Sequence, residues 1–188
     1  MINKAIEFCI KKHKGQFRRF LEQPYCVHPI AVAAITSCFT QDKEVITAAY
    51  LHDVIEDVSI VSYQDITREF NVRVANLVLE LTSDEKELYR LGKAQYLLNK
   101  MIAMSDDGLL IKLADRCHNT SGWRTCFNIF SKTKNHIKSL NALLKFIDKY
   151  TLETNFILDN LNINRELTPE HKILIGIIRS NLQWKTQI

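Results

Sequence analysis

The stretch AAYLHDVIED, residues 48–57, sets His52, Asp53, Glu56 and Asp57 among apolar neighbours. An ionised carboxylate enclosed by apolar side chains is costly unless a cation or hydrogen bonds compensate it. Read as a helix, the stretch puts His52 and Glu56 on one face and Asp53 and Asp57 on an adjoining one. Alone, that band is either a solvated polar stripe or one wall of a cleft. Two other segments carry complementary groups. PYCVHP places His28 at a helix entrance, and IKLADRCHNTSGW places Asp115 and Asn119 one turn apart on a helix whose Leu109, Leu110, Leu113, Ala114 and Cys117 mark it as mostly buried. By itself His28 reads as a hydrogen-bonded structural residue, and Asp115 as the partner of an arginine. Together, two imidazoles and two carboxylates suit one divalent transition metal, Mn²⁺, Fe²⁺ or Zn²⁺, with positions left for water and substrate.

These groups are scattered from residue 28 to residue 115, so helices must gather them. Ile2, Ala5, Ile6, Cys9 and Ile10 predict a first amphipathic helix, and His28-Pro29 opens a second with proline in its first turn. A third is predicted from about residue 43 to 56. Ser62 with Asp65 opens a short helix expected to stop at Phe70-Asn71, with asparagine left-handed there. Helices follow near 72–82, 86–104 and 107–120. Apolar positions 137, 140, 143, 144 and 147 form a further stripe, and Thr168-Pro169 caps a last helix carrying Ile173, Leu174, Ile177, Ile178 and Leu182. No alternating strand pattern or internal repeat appears, and the reading is an all-α bundle.

The 188 residues suffice for one compact domain with a sizeable core, and 46% hydrophobic with 24% charged residues is globular rather than disordered usage. No apolar run approaches the ~20 residues of a membrane span, and MINKAIEFCIKKHKGQ lacks a signal-peptide pattern, so a cytoplasmic protein is expected. The five cysteines contain no C-x-x-C pair and are read as reduced structural thiols. The net charge of +4 is concentrated early: Lys4, Lys11, Lys12, Lys14, Arg18 and Arg19 face only Glu7, which suits a polyanionic ligand. Of the remaining histidines, His118 is read as a supporting group, and His136 and His171 as surface residues. None lies between His52 and His118, which favours one metal ion over two.

HKGQFRR, PYCVHPIAVA, LHDVIEDV and IKLADRCHN, with His28, His52-Asp53 and Asp115 in that order, resemble the HD-domain metal-dependent phosphohydrolases. More narrowly, residues 5–120 resemble the hydrolase domain of RelA/SpoT-type alarmone enzymes and the small alarmone hydrolases. The resemblance implies an HD-domain helical bundle, and the run of helices along the chain is read as a hydrolase core over 1–150 with residues 151–188 as a helical appendix packed on the same domain. It implies that His28, His52, Asp53 and Asp115 bind Mn²⁺, and that Glu56 and Asp57 activate or position the attacking water. Asn119 would hold substrate near the metal and Arg18 would pack on the guanine base. Lys86, Arg90 and Lys93 are candidates for the distal phosphates, and a solvated charged helix face is the competing reading for them. Two departures accompany the match: RRFLEQPYC lacks a glycine common in relatives, and Ser121-Gly122 stands where many carry arginine.

The expected activity is removal of the 3′-pyrophosphate from ppGpp or pppGpp, giving GDP or GTP, with a cognate alarmone synthetase as the opposing partner. The alternatives are an HD phosphatase acting on another nucleotide such as NADPH, and a non-catalytic nucleotide-binding regulator. Nucleic acid binding through the basic N-terminus belongs with the last, and the Glu56-Asp57 pair argues against it, since a pure binder needs no water-activating carboxylate.

Overall fold

The computed structural model describes residues 1–20, 22–132 and 137–183. Among them the chain forms twelve helices: α1 (Ile2–Lys12), α2 (Val27–Ser37), α3 (Lys43–Leu51), α4 (Val54–Asp57), α5 (Tyr63–Glu69), α6 (Val72–Leu81), α7 (Glu85–Leu91), α8 (Lys93–Ala103), α9 (Asp106–Ser121), α10 (Trp123–Ser131), α11 (Ile137–Asn164) and α12 (Pro169–Leu182). His136 lies outside the described residues. No described helix is long and apolar enough to cross a membrane.

Helix α9 is the axis of the bundle. Ser105 caps it by accepting the Gly108 amide, Asp106 and Asp107 complement its positive end, and its buried residues run from Gly108 to Thr120. Helices α2, α3, α6 and α12 pack around it. The main core joins Leu51, Ile66, Leu81, Met101, Leu109 and Ile111 with Ile157, Leu158, Leu161, Leu174 and Ile178 from the last two helices. A second cluster gathers Trp123, Cys126, Leu143 and Ile147 between α10 and α11.

Several elements differ from the sequence-based expectation. The helix expected over 43–56 is two helices, because His52 Nδ1–H turns back to the Ala49 carbonyl at 2.9 Å and Asp53, at φ −101° and ψ −5°, begins α4. The one expected over 86–104 is broken at Gly92, whose φ of +77° only glycine adopts cheaply. Asn71 is extended at φ −172°, and its side chain accepts the Val74 amide as the N-cap of α6 instead of stopping α5 left-handed. Helix α10 was not anticipated. His171 is not a surface residue: it is 1% exposed, closes the capping box of α12 with Thr168, and its Nε2 meets the Asp106 carbonyl at 3.0 Å. Position 150 falls inside continuous α11.

The segment between α1 and α2 positions side chains despite having little regular structure. An isolated antiparallel bridge between Phe17 and Pro24 is closed by Arg18 N–H to the Gln23 carbonyl and Tyr25 N–H to the Gln16 carbonyl, both 2.9 Å. It brings Arg18 beside Tyr25, the guanidinium 5.9 Å from the ring centroid. Phe20 occupies the left-handed region at φ +68°.

Candidate active site

Four side chains from distant segments meet against the buried face of α9. His28 comes from the first turn of α2, His52 and Asp53 from the break between α3 and α4, and Asp115 from the middle of α9. His28 Nε2 lies 3.1 Å from Asp115 Oδ1 and 3.5 Å from Asp53 Oδ2, while His52 Nε2 lies 3.0 Å from Asp53 Oδ2 and 4.0 Å from Asp115 Oδ1. His28, His52 and Asp115 are buried and Asp53 half-buried.

The hydrogen bonds state which atoms are free. His52 donates Nδ1–H to the Ala49 carbonyl, which leaves a lone pair on Nε2; that atom is enclosed, has no hydrogen-bond partner, and faces a carboxylate. Lone pair against carboxylate is repulsive unless a cation lies between them. Without an ion, a proton on Nε2 takes the part of that cation: burial works against the imidazolium, but the charges of Asp53 and Asp115 outweigh it and lift the His52 pKa to about 9. Asp53 and Asp115 are likewise held below the usual carboxylate range, burial being overcome mainly by His52 for the first and by Lys112 and His28 for the second. A set of two imidazole nitrogens and two carboxylate oxygens fits a divalent transition metal, and His28, His52 and Asp53 offer ligand atoms within 4.8 Å of one another.

Further residues orient this set. The Tyr25 hydroxyl donates to Asp53 Oδ2 at 2.7 Å, and Asn119 donates to Asp115 Oδ1 at 2.6 Å while accepting from Arg18 at 2.9 Å. Lys112 Nζ sits 3.1 Å from Asp115 Oδ2 with its side chain 13% exposed. His28 Nδ1 meets His118 Nδ1 at 2.7 Å. Tyr25 and Lys112 had no role in the sequence reading. Each precedes a metal-ligand candidate by three residues, a spacing that places two groups on one face of a turn or helix.

Glu56 and Asp57 are exposed; Glu56 lines the cavity beside the ligand candidates, and Asp57, which lines none of the three cavities adjoining the cluster, stands close enough to Asp53 to feel its charge. Glu56 accepts the Ser83 amide at 2.9 Å. The carboxyl of Asp57 has its pKa raised, first by partial loss of water and then by the charge of Asp53.

Three adjoining cavities extend from the cluster. One of about 400 Å³ is lined by His28, Asp53, Glu56, Lys93, Lys112 and Asp115. It shares Arg18, Tyr25 and Asn119 with a cavity of about 340 Å³ walled by Phe20, Trp123, Leu143 and Phe146. It shares Lys93 and Tyr150 with a third, of about 470 Å³, rimmed by Arg19, Lys145 and Lys149. Of the basic residues expected on α7 and α8, only Lys93 lines these spaces. Lys86 is exposed, and Arg90 is tied to Glu87 at 2.6 Å on the exposed face of α7.

A helical bundle that converges His, His-Asp and Asp on one cavity defines a metal-site class, and a family model described as the HD domain matches residues 5–126. The chain belongs to the HD-domain family. It is similar to the guanosine-3′,5′-bis(diphosphate) 3′-pyrophosphohydrolase of Aquifex aeolicus, at 37% identity over 120 residues covering 63% of this chain and 17% of that protein. The enzyme of the same name from Haemophilus influenzae is 44% identical over 112 residues, 57% of this chain and 16% of that one. The chain thus spans about a sixth of the length of these curated relatives. A solved metazoan SpoT orthologue, reported to hydrolyse ppGpp and to play a role in starvation responses, covers 100% of this chain and 96% of its own at TM-score 0.74 and 26% identity. The Listeria monocytogenes protein lmo0812, with TM-score 0.62 and 20% identity over 86% of this chain and 94% of its own, shares the fold.

Proposed function

We propose that this chain is a metal-dependent hydrolase that removes the 3′-pyrophosphate of ppGpp and pppGpp, giving GDP and GTP. The observation that carries the reading is the convergence of His28, His52, Asp53 and Asp115 around an unpartnered, enclosed His52 Nε2. The named activity of the similar proteins supplies the substrate. Those four residues hold the ion, for which Mn²⁺ is our first choice and Fe²⁺ or Zn²⁺ the alternatives. Such a cation supplies Lewis acidity, making water a better nucleophile near neutral pH and offsetting charge on phosphate oxygens.

The chain's own groups do the rest. Glu56 and Asp57 accept the proton of the attacking water; its oxygen joins the phosphorus attached to the 3′-oxygen, whose bond to that phosphorus breaks. Pyrophosphate leaves and the 3′-oxygen takes up a proton. Asn119, fixed between Arg18 and Asp115, holds substrate beside the ligands, and Arg18 packs on the base at the entrance to the aromatic cavity. Lys93 attracts the phosphates. An alarmone synthetase is the partner whose product this activity removes, and both belong in the cytoplasm.

Metal-stripped protein incubated with ppGpp, ATP or NADPH, with and without Mn²⁺, tests the proposal. GDP and pyrophosphate should appear from ppGpp only when metal is added. Turnover of NADPH with ppGpp untouched would assign the site to another nucleotide. Binding without turnover of any of them would make the chain a regulator.

A further inference from the structure

The hydrogen bond between His28 and His118 joins α2 to α9 directly behind the proposed metal ligands. Nδ1 meets Nδ1 at 2.7 Å, with the rings 4.9 Å apart and inclined by 30°. A bond between two such nitrogens needs one proton and one lone pair, so the rings adopt opposite tautomers. His28 Nε2 is the atom that faces Asp115 and Asp53. Left as a lone pair for a cation, it puts the ring's proton on Nδ1. His118 Nδ1 is then the acceptor, and the proton of His118 sits on its own Nε2.

Resting on the metal reading above, we propose that His118 is a positioning residue: by accepting Nδ1–H of His28 it fixes that ring's tautomer and direction, and so sets affinity for the ion. Ligating histidines ordinarily donate their other N–H to a carboxylate, a backbone carbonyl or water. His52 follows that pattern through the Ala49 carbonyl, an acceptor that no side-chain change removes. His28 instead relies on a neighbouring imidazole, which gives direction without adding negative charge. The His118 ring also walls the aromatic cavity, so turnover in a variant would mix two effects and metal affinity is the cleaner readout.

The experiment compares the native chain with His118→Asn, His118→Leu and His28→Ala, each stripped with chelator and titrated with Mn²⁺ by calorimetry. Asparagine keeps an acceptor oxygen near the place of Nδ1, and leucine keeps bulk without one. The leucine variant should bind about 10–100-fold more weakly, the usual cost of losing a group that supports a ligand, and the asparagine variant should stay close to native. Cooperative melting of the metal-free variants separates weakened binding from unfolding. A leucine variant that binds as tightly as native, or equal losses in leucine and asparagine, overturns the inference. Native protein that binds none of Mn²⁺, Fe²⁺ or Zn²⁺ overturns the metal reading and the inference together, whereas binding lost in His28→Ala but intact in His118→Leu overturns the inference alone. Independently of any variant's folding, nitrogen-resolved imidazole spectra of the Zn²⁺-loaded native protein should place the proton on Nδ1 of His28 and Nε2 of His118; the reverse tautomers overturn it.

Discussion

Three groups meet at a single oxygen of Asp53: His52 Nε2 at 3.0 Å, His28 Nε2 at 3.5 Å and the Tyr25 hydroxyl at 2.7 Å. Asp53→Ala removes a proposed ligand and the acceptor that holds Tyr25, so we expect loss of both metal retention and turnover. Glu56 lies outside that cluster, so Glu56→Gln should keep its metal while kcat falls by about 10²–10⁴. Metal content after dialysis and single-substrate kinetics decide the matter, and equal metal loss in both variants contradicts the division of roles. Tyr25→Phe deletes only the hydroxyl that directs Asp53 and should weaken Mn²⁺ binding by about tenfold, the low end of the range for such supports; unchanged affinity in calorimetry would leave Tyr25 with a packing role alone. His52, Asp53 and Asp115 drew notice in the sequence as polar groups among apolar neighbours, His28 did not by itself, and it was the resemblance to the HD-domain phosphohydrolases that joined the four as ligand candidates. Tyr25 and Lys112 were not legible there, since a phenol and an ammonium acquire these roles only through what faces them in space.

At the scale of helices, the starts were more legible than the breaks. Ser62 and Asp65 form the expected capping box, each side chain bonding the other's backbone amide, and Thr168-Pro169 opens α12 as its residues suggest. The break at His52–Asp53 was hidden because AAYLHDVIED has helical periodicity throughout, and the turn is enforced by a side-chain bond to a backbone carbonyl that no propensity encodes. That break matters to the site: it turns His52 and Asp53 inward and leaves Glu56 and Asp57 exposed. The capping box of α5 offers a pH test. Bonds from the Ser62 hydroxyl and amide, then from Arg68, hold the Asp65 carboxyl down from the ordinary 3.8 to about 2. A carboxyl whose folded pKa is depressed stabilises the fold above its unfolded pKa, and loses that contribution as pH falls through the folded value. Asp65→Asn should therefore be less stable than native at pH 6 and converge with it as pH drops from about 4 toward 2. Urea melts across that window check it; a native-to-variant gap that is constant with pH would remove Asp65 ionisation from the account.

For the whole molecule, the sequence announced an all-α bundle but not how its last helices join it. Residues after 150 were read as an appendix because their apolar stripes follow the motif-bearing part, and stripes alone do not say which surface they cover. In the structure Ile157, Leu158, Leu161, Leu167, Leu174, Ile175 and Ile178 belong to the same core as the α9 residues beneath the site. Polar contacts agree: Arg116, next to Asp115, donates to Thr154 at 2.7 Å, and Arg165 reaches the carbonyl of Met101 at 3.1 Å, at the end of α8. Each buried leucine or isoleucine contributes about 1.5–3 kcal/mol. Seven of them together rival the whole net stability of a typical domain, about 5–15 kcal/mol. A chain ending at residue 150 should therefore lack a cooperative thermal transition, bind hydrophobic dye and retain no Mn²⁺, because α9 would lose α12, the helix it packs against most closely. Far- and near-ultraviolet circular dichroism on the truncated and full chains measure this directly. A truncated chain that melts cooperatively near the temperature of the full one would show that residues 1–150 fold alone, and that α12 and the second half of α11 are an addition to a finished domain.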